Sequence, residues 1–128
     1  MKALLDTHTF LWVINDPDKL SVRARDICIA TTNELYFSAA SGWEIAIKVK
    51  LGKLRLPDNP ERYIPKQLAT AQINVLPIQL AHALRTYQLP EHHRDPFDRL
   101  IVAQAQLEGM PILSADGQLS RYAVNVIW

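Results

Sequence analysis

A chain of 128 residues can bury one core and is too short for two ordinary ones, and a composition 48% hydrophobic and 21% charged excludes both a disordered chain and a disulfide scaffold. With 14 basic and 13 acidic side chains, the net charge of +1 excludes a general attraction to nucleic acid or to membrane, so any surface for a polyanion must be local. The single cysteine, Cys28, excludes an internal disulfide. It lies in the apolar run Ile27-Cys28-Ile29-Ala30 and is expected as a buried, inert thiol suited to a reducing compartment. No apolar run approaches the roughly 18 residues of a membrane span, and a cytoplasmic location is expected.

In chain order, Lys2-Ala3-Leu4-Leu5 is a short apolar strand closed by Asp6, and residues 7 to 14 form a first helix with Thr7 available as its cap. Asn15-Asp16-Pro17-Asp18 breaks it. A second helix runs from Ser21 to about Thr32, with a stripe of Val22, Ala24, Ile27, Cys28 and Ala30. Leu35-Tyr36-Phe37-Ser38 reads as a buried strand, followed by a helix opened by Ser41 and stopped by Gly52. After the extended Leu54-Arg55-Leu56-Pro57, a proline-punctuated loop leads to a helix near residues 60 to 71.

Residues 73 to 78 read as a third strand and Gln79 to Tyr87 as a short helix. Asp95-Pro96-Phe97-Asp98 then opens the clearest helix in the chain, with Asp at the cap and Pro at the first helical position, ending at Gly109. Residues 111 to 114 form a fourth strand, 116 to 121 a turn of helix, and 124 to 127 a fifth strand. Strands alternating with helices predict an α/β fold with a mostly parallel sheet covered on both faces. With no repeat, low-complexity tract or linker, residues 1–128 are expected to form a single domain.

Ligands of such sheets bind beyond the carboxyl ends of the strands, where strand order reverses. Asp6 ends the first strand, Asp116 follows the fourth, Glu44 lies in the second turn of the helix leaving the second, and Asp98 opens a helix. Four carboxylates could converge there, and their mutual repulsion would call for a cation. Oxygen-only ligands favour Mg²⁺ or Mn²⁺ over Zn²⁺, and one or two such ions could activate a water for phosphodiester hydrolysis. Each acid has a plainer reading too. Asp6 could cap the first helix, Asp98 could share a capping box with Asp95, Glu44 could pair with Lys48, and Asp116 could be a turn residue.

The start Leu4-Leu5-Asp6-Thr7-His8, the segment Ser38-Ala39-Ala40-Ser41-Gly42-Trp43-Glu44-Ile45-Ala46-Ile47-Lys48, the segment running from His93-Arg94-Asp95-Pro96-Phe97-Asp98-Arg99 to Ala105, and Ile112-Leu113-Ser114-Ala115-Asp116 resemble PIN domains of the VapC toxin type. The resemblance runs from residue 1 to about 127 in the family's order and spacing. It implies a three-layer α/β/α sandwich with five parallel strands in the order 3-2-1-4-5. It also implies a Mg²⁺-dependent endoribonuclease acting on RNA, with Mn²⁺ as a possible substitute. Such a protein would be the homodimeric toxin of a type II toxin–antitoxin system, silenced by a small antitoxin. Asp6, Glu44 and Asp98 match the family's three central metal-site acids, Asp116 the more variable fourth, and Ser114 a hydroxyl position beside the metal. Gly117-Gln118-Leu119 departs from the basic residue and phenylalanine more common there.

Basic residues cluster at Lys48, Lys50, Lys53 and Arg55 and again at Arg94 and Arg99. Arg94 and Arg99 could grip phosphates bidentately or pair with nearby carboxylates, and Lys48 could orient Glu44 or meet a phosphate. Asp95 is explained as a helix cap. Trp43 is expected to pack beneath the site, and His8, His92 and His93 have no metal-ligand spacing but could touch RNA. The alternative function is a catalytically silent PIN-like module that binds RNA or protein. A receiver-type phosphotransfer domain fits less well, since Asp6-Thr7-His8 lacks the second acid that such a domain needs.

Overall fold

A computed structural model of the chain describes residues 1–92 and 94–128. Five strands, β1 (Lys2–Leu5), β2 (Glu34–Ser38), β3 (Ile73–Leu76), β4 (Ile112–Leu113) and β5 (Val126–Ile127), form one sheet. Its order is β3-β2-β1-β4-β5, and every neighbouring pair is parallel. Central β1 sets Leu4 opposite Tyr36 on one side and Ile112 on the other. The chain builds outward from β1 through β2 to β3, then returns to β1's other edge with β4. Strand order therefore reverses at β1, and the crevice past its carboxyl end is where such sheets bind ligands.

Successive side chains of a strand point to opposite faces, so β1 feeds two cores. Ala3 and Leu5 join Phe10, Leu20, Ala24, Phe37, Ile45, Ile64 and Leu68 beneath helices α1 (Thr7–Asn15), α2 (Val22–Ile29), α3 (Ala39–Lys50) and α4 (Pro60–Thr70). Leu4 joins Ile101, Val102, Ala105, Ile112 and Leu119 on the face covered by α6 (Pro96–Glu108), with the short α5 (Leu80–Arg85) packed on α6. The fully buried Phe10 meets Phe37 with ring centroids 4.3 Å apart, tying α1 to β2. The expected three-layer sandwich and strand order are both present.

Helix ends follow local chemistry. Asn59 caps α4 through Arg62 N, with Pro60 supplying a first position that needs no donor. Asp95 accepts from the backbone N–H groups of Phe97 and Asp98, and Gly109 ends α6 at φ 66°. Two of the expected caps move by one or more residues. The first helix is capped by Asp6, not Thr7, and α3 starts at Ala39 under the Ser38 side chain, two residues before the expected Ser41. Asp6 directly follows β1 and Ser38 ends β2, so in both cases the acceptor sits at the junction itself and the helix begins at the next residue.

The second helix is shorter than its apolar stripe predicts. It ends at Ile29, and only Ala24 is buried within it. Cys28 is half-buried, short of the full burial expected, yet desolvation still raises its thiol pKa to about 11, so it is protonated and unreactive near neutrality. The third, fourth and fifth strands are shorter than expected, Ile73–Leu76, Ile112–Leu113 and Val126–Ile127. Among the described residues no helix is long and apolar enough to cross a membrane.

Candidate functional site

Asp6 stands directly after β1 with only 5% of its surface exposed. Its Oδ1 accepts the Thr9 N–H at 2.8 Å, and its Oδ2 accepts the hydroxyl of the buried Ser114. Ser114 Oγ in turn accepts the backbone N–H of Asp116 at 3.0 Å. One serine thus ties the carboxyl ends of β1 and β4 together and sets the second acid near the first. A carboxylate offers about four acceptor sites, so Asp6 retains capacity. It lines a cavity of about 360 Å³ with His8, Trp12, Ala115 and Asp116.

Glu44, also 5% exposed, faces this region from the second turn of α3. Thr7 Oγ1 lies 2.7 Å from Glu44 Oε1 and 2.9 Å from Ser41 Oγ. A carboxylate only accepts, so the one proton of Thr7 goes to Glu44 and Ser41 donates to Thr7. The other oxygen of Glu44, Oε2, meets the Lys48 ammonium at 2.7 Å. Thr7 is the residue next to Asp6, so the hydroxyl that holds Glu44 comes from the position adjacent to the other buried carboxylate. Sequence reasoning assigned Thr7 and Ser41 to helix capping. Two hydroxyl residues flanking strand-end acids, Thr7 after Asp6 and Ser41 three before Glu44, were the signal for this bridge.

Asp98 occupies the first turn of α6, where its backbone N–H lies 3.4 Å from Asp95 Oδ1. The edge-on packing of Trp43 against Phe97, with centroids 5.2 Å apart, sets this turn beside the second turn of α3. The four acids thus come from elements that meet at one end of the sheet. Their carboxylates are nonetheless not drawn into one nest. Among the described residues, no three His, Cys, Asp or Glu side chains form a group able to hold a metal ion. Like charges separate unless a cation balances them, and each buried acid has taken hydroxyl, amide or ammonium partners instead.

Several other expectations shift. Ser114, expected as a hydroxyl beside the metal and as a substrate contact, is 1% exposed and bonds Asp6 and the Asp116 N–H, so it positions the acids. Arg99 donates to the backbone carbonyls of Pro90 at 2.8 Å, Thr86 at 3.1 Å and Leu89 at 3.3 Å. A planar guanidinium donating to three carbonyls is a strut for the loop before α6. Trp43 is 60% exposed and covers Phe97 from outside, where it was expected beneath the site. Arg94 is exposed, His8 is exposed beside the Asp6 cavity, and His92 packs on Tyr122. Asp95 is the helix cap that its sequence predicted. His93 lies outside the described residues.

The donor set suits a hard divalent cation. Mg²⁺ commonly takes one or two carboxylates and completes its shell with water and substrate phosphate, and carboxylates without His or Cys partners are the ligand type it prefers. Parallel order 3-2-1-4-5, with Asp6 and Asp116 following β1 and β4 at the strand-order reversal, defines the class as a doubly covered α/β domain. The chain belongs to the PIN domain family, whose model matches residues 3–125. It is similar to Ribonuclease VapC16 of Mycobacterium tuberculosis, at 40% identity over 50 residues, a segment covering 39% of this chain and 36% of that protein. The fold is similar to that in the crystal structure of VapBC2 from Rickettsia felis bound to a DNA fragment from their promoter, with a TM-score of 0.74 at 14% identity over 100% of this chain and 99% of that one. FitAcB from Neisseria gonorrhoeae gives a TM-score of 0.64 at 20% identity over 98% and 96% of the two chains.

Proposed function

We propose that this chain is a divalent-metal-dependent endoribonuclease, using Mg²⁺ or Mn²⁺, and the toxin of a type II toxin–antitoxin pair. The observation that carries this reading is the pair of buried carboxylates at the strand-order reversal of a PIN domain, Asp6 held by Ser114 and the Thr9 N–H and Glu44 held by Thr7, the residue next to Asp6. Burial of two such groups costs stability and is hard to explain as scaffolding alone.

Asp6 and Glu44 are the principal ligands, with Asp116 on the open cavity wall and Asp98 at the start of α6 as further oxygen donors. A divalent ion bound there would supply Lewis-acid stabilisation of phosphate charge and a water acidified enough to attack phosphorus. The chain's own residues prepare that chemistry. Thr7 and Ser41 fix one oxygen of Glu44, and Ser114 fixes one of Asp6. Fixed donors of this kind need no reorganisation during reaction. Lys48 and the exposed Arg94 are the cations nearest the role of holding an RNA strand, which the near-neutral surface as a whole does not perform.

Protein partners follow from apolar side chains left in solvent: Trp43 on α3, Leu80 and Leu84 on α5, and Tyr87 just beyond. They suit a second copy of the chain and a small antitoxin, the two partners proposed, acting in the cytoplasm.

The test is cleavage of a mixed-sequence RNA by purified protein in Mg²⁺, with an EDTA control and Glu44→Gln. Multiple-turnover cutting that EDTA stops and Glu44→Gln lowers by at least about 100-fold supports the nuclease. The alternative, a silent module, is favoured by one observation, the lack of a three-acid group among the described residues. RNA binding without cutting at any divalent-ion concentration would favour that module and overturn the nuclease.

A further inference from the structure

Glu44 and Lys48 differ sharply in burial although they form one ion pair. The Glu44 side chain is 7% exposed and that of Lys48 39%, with Nζ 2.7 Å from Oε2. An exposed pair at this helical spacing is a minor surface feature. Here one partner is a carboxylate out of water, and a buried charge that loses its partner is strongly penalised. The two oxygens of Glu44 are held in different ways. Thr7, itself buried and bonded to Ser41, fixes Oε1 with a neutral hydroxyl. Lys48 reaches Oε2 with a positive charge on a flexible four-carbon stem whose head borders solvent.

We infer that Lys48 is the built-in counter-ion of the site, holding the Glu44 carboxylate in place until a divalent cation takes Oε2 from it. This rests on the reading of Glu44 as a metal ligand. A divalent cation and an ammonium cannot both sit within bonding distance of one carboxylate oxygen without strong repulsion at low dielectric. Lys48 must therefore swing toward solvent as the metal binds, and the stem allows that without moving α3. The arrangement lets a chain with two buried acids fold without metal. The same contact weakens metal affinity, because each cation bound must first displace an ammonium.

The test compares wild type, Lys48→Met, Lys48→Arg and Asp6→Asn by Mn²⁺ calorimetry and by melting in EDTA and in saturating Mn²⁺. Lys48→Met should bind Mn²⁺ at least about 10-fold more tightly than wild type, melt lower in EDTA, and recover most of that loss in Mn²⁺. Lys48→Arg, which keeps the charge, should stay close to wild type. Unchanged or weaker Mn²⁺ binding by Lys48→Met, or an equal melting loss with and without Mn²⁺, would make the pair purely structural and overturn the inference. Should Lys48→Met not fold without metal, Lys48→Gln carries the same comparison with a neutral hydrogen-bond donor to Oε2. Mn²⁺ binding that Asp6→Asn leaves intact, or none by wild type, overturns the metal-site reading and this inference together. Asp6-dependent binding that Lys48→Met does not tighten overturns this inference alone.

Discussion

Two buried polar clusters lie within one helix turn of each other along the chain, and they are built on opposite terms. The first joins β2, α5 and α6. Ser38 donates to Gln104 Oε1, Gln104 Nε2 donates to the Pro77 carbonyl at 3.3 Å, and His82 Nδ1 accepts the Gln79 N–H at 2.9 Å. That bond places the ring proton on Nε2, which faces Glu108 at 3.2 Å. Its one carboxylate, Glu108, is 41% exposed. The second cluster, Asp6, Thr7, Ser41, Glu44 and Ser114, puts two carboxylates at 5% exposure and gives each a hydroxyl. A scaffold network satisfies its buried groups largely with neutral partners and keeps its one carboxylate at the solvent edge. A site keeps charge inside and leaves acceptor capacity unused. The difference separates structural from functional polarity more surely than burial alone, since Gln104 and Ser38 are the more deeply buried.

The comparison can be broken from either side. The larger effect is expected at the charged cluster. Asp6→Asn keeps an acceptor for Thr9 N and so keeps the α1 cap, which should hold thermal stability close to wild type. RNA cleavage should fall by about 100-fold or more, because neutral Asn is a poor ligand for a hard cation. A variant that unfolds in step with its lost activity would place Asp6 among the scaffold residues. The smaller effect is expected at the neutral cluster. Gln104→Leu preserves bulk but leaves Ser38, Pro77 and His82 short of partners, at a cost of about 2–3 kcal/mol in urea unfolding. Cleavage per folded molecule should be unchanged. If instead activity collapsed while stability held, the two clusters would not be separable as drawn.

The sequence carried most of the architecture because its signals were local. Alternating strand and helix patterns, Asp95-Pro96 at one helix start and Gly109 at its end can each be read within a few residues. Asp6, Glu44, Asp98 and Asp116 were recognisable by position at strand and helix ends. What they do with their oxygens was not, because Thr7 reaches Glu44 across 37 positions and Ser114 reaches Asp6 across 108. Pairings at that separation leave no periodicity. The carbonyl partners of Arg99 and the exposure of Trp43 were hidden for a related reason: a guanidinium beside acids suggests phosphate or carboxylate, and an indole beside a buried Glu suggests burial. The loop carbonyls that hold Arg99 and the Phe97 ring that Trp43 covers become visible only once α5 and α6 are folded together.

The central claim is that the crevice past β1 takes a divalent cation on Asp6 and Glu44. Anomalous scattering from crystals soaked in Mn²⁺ tests it most directly. The account predicts a peak bonded to carboxylate oxygens of both residues at about 2.0–2.2 Å, with Lys48 Nζ moved off Oε2. A peak elsewhere on the molecule, or none at saturating Mn²⁺ with the Glu44 to Lys48 pair intact, would contradict it.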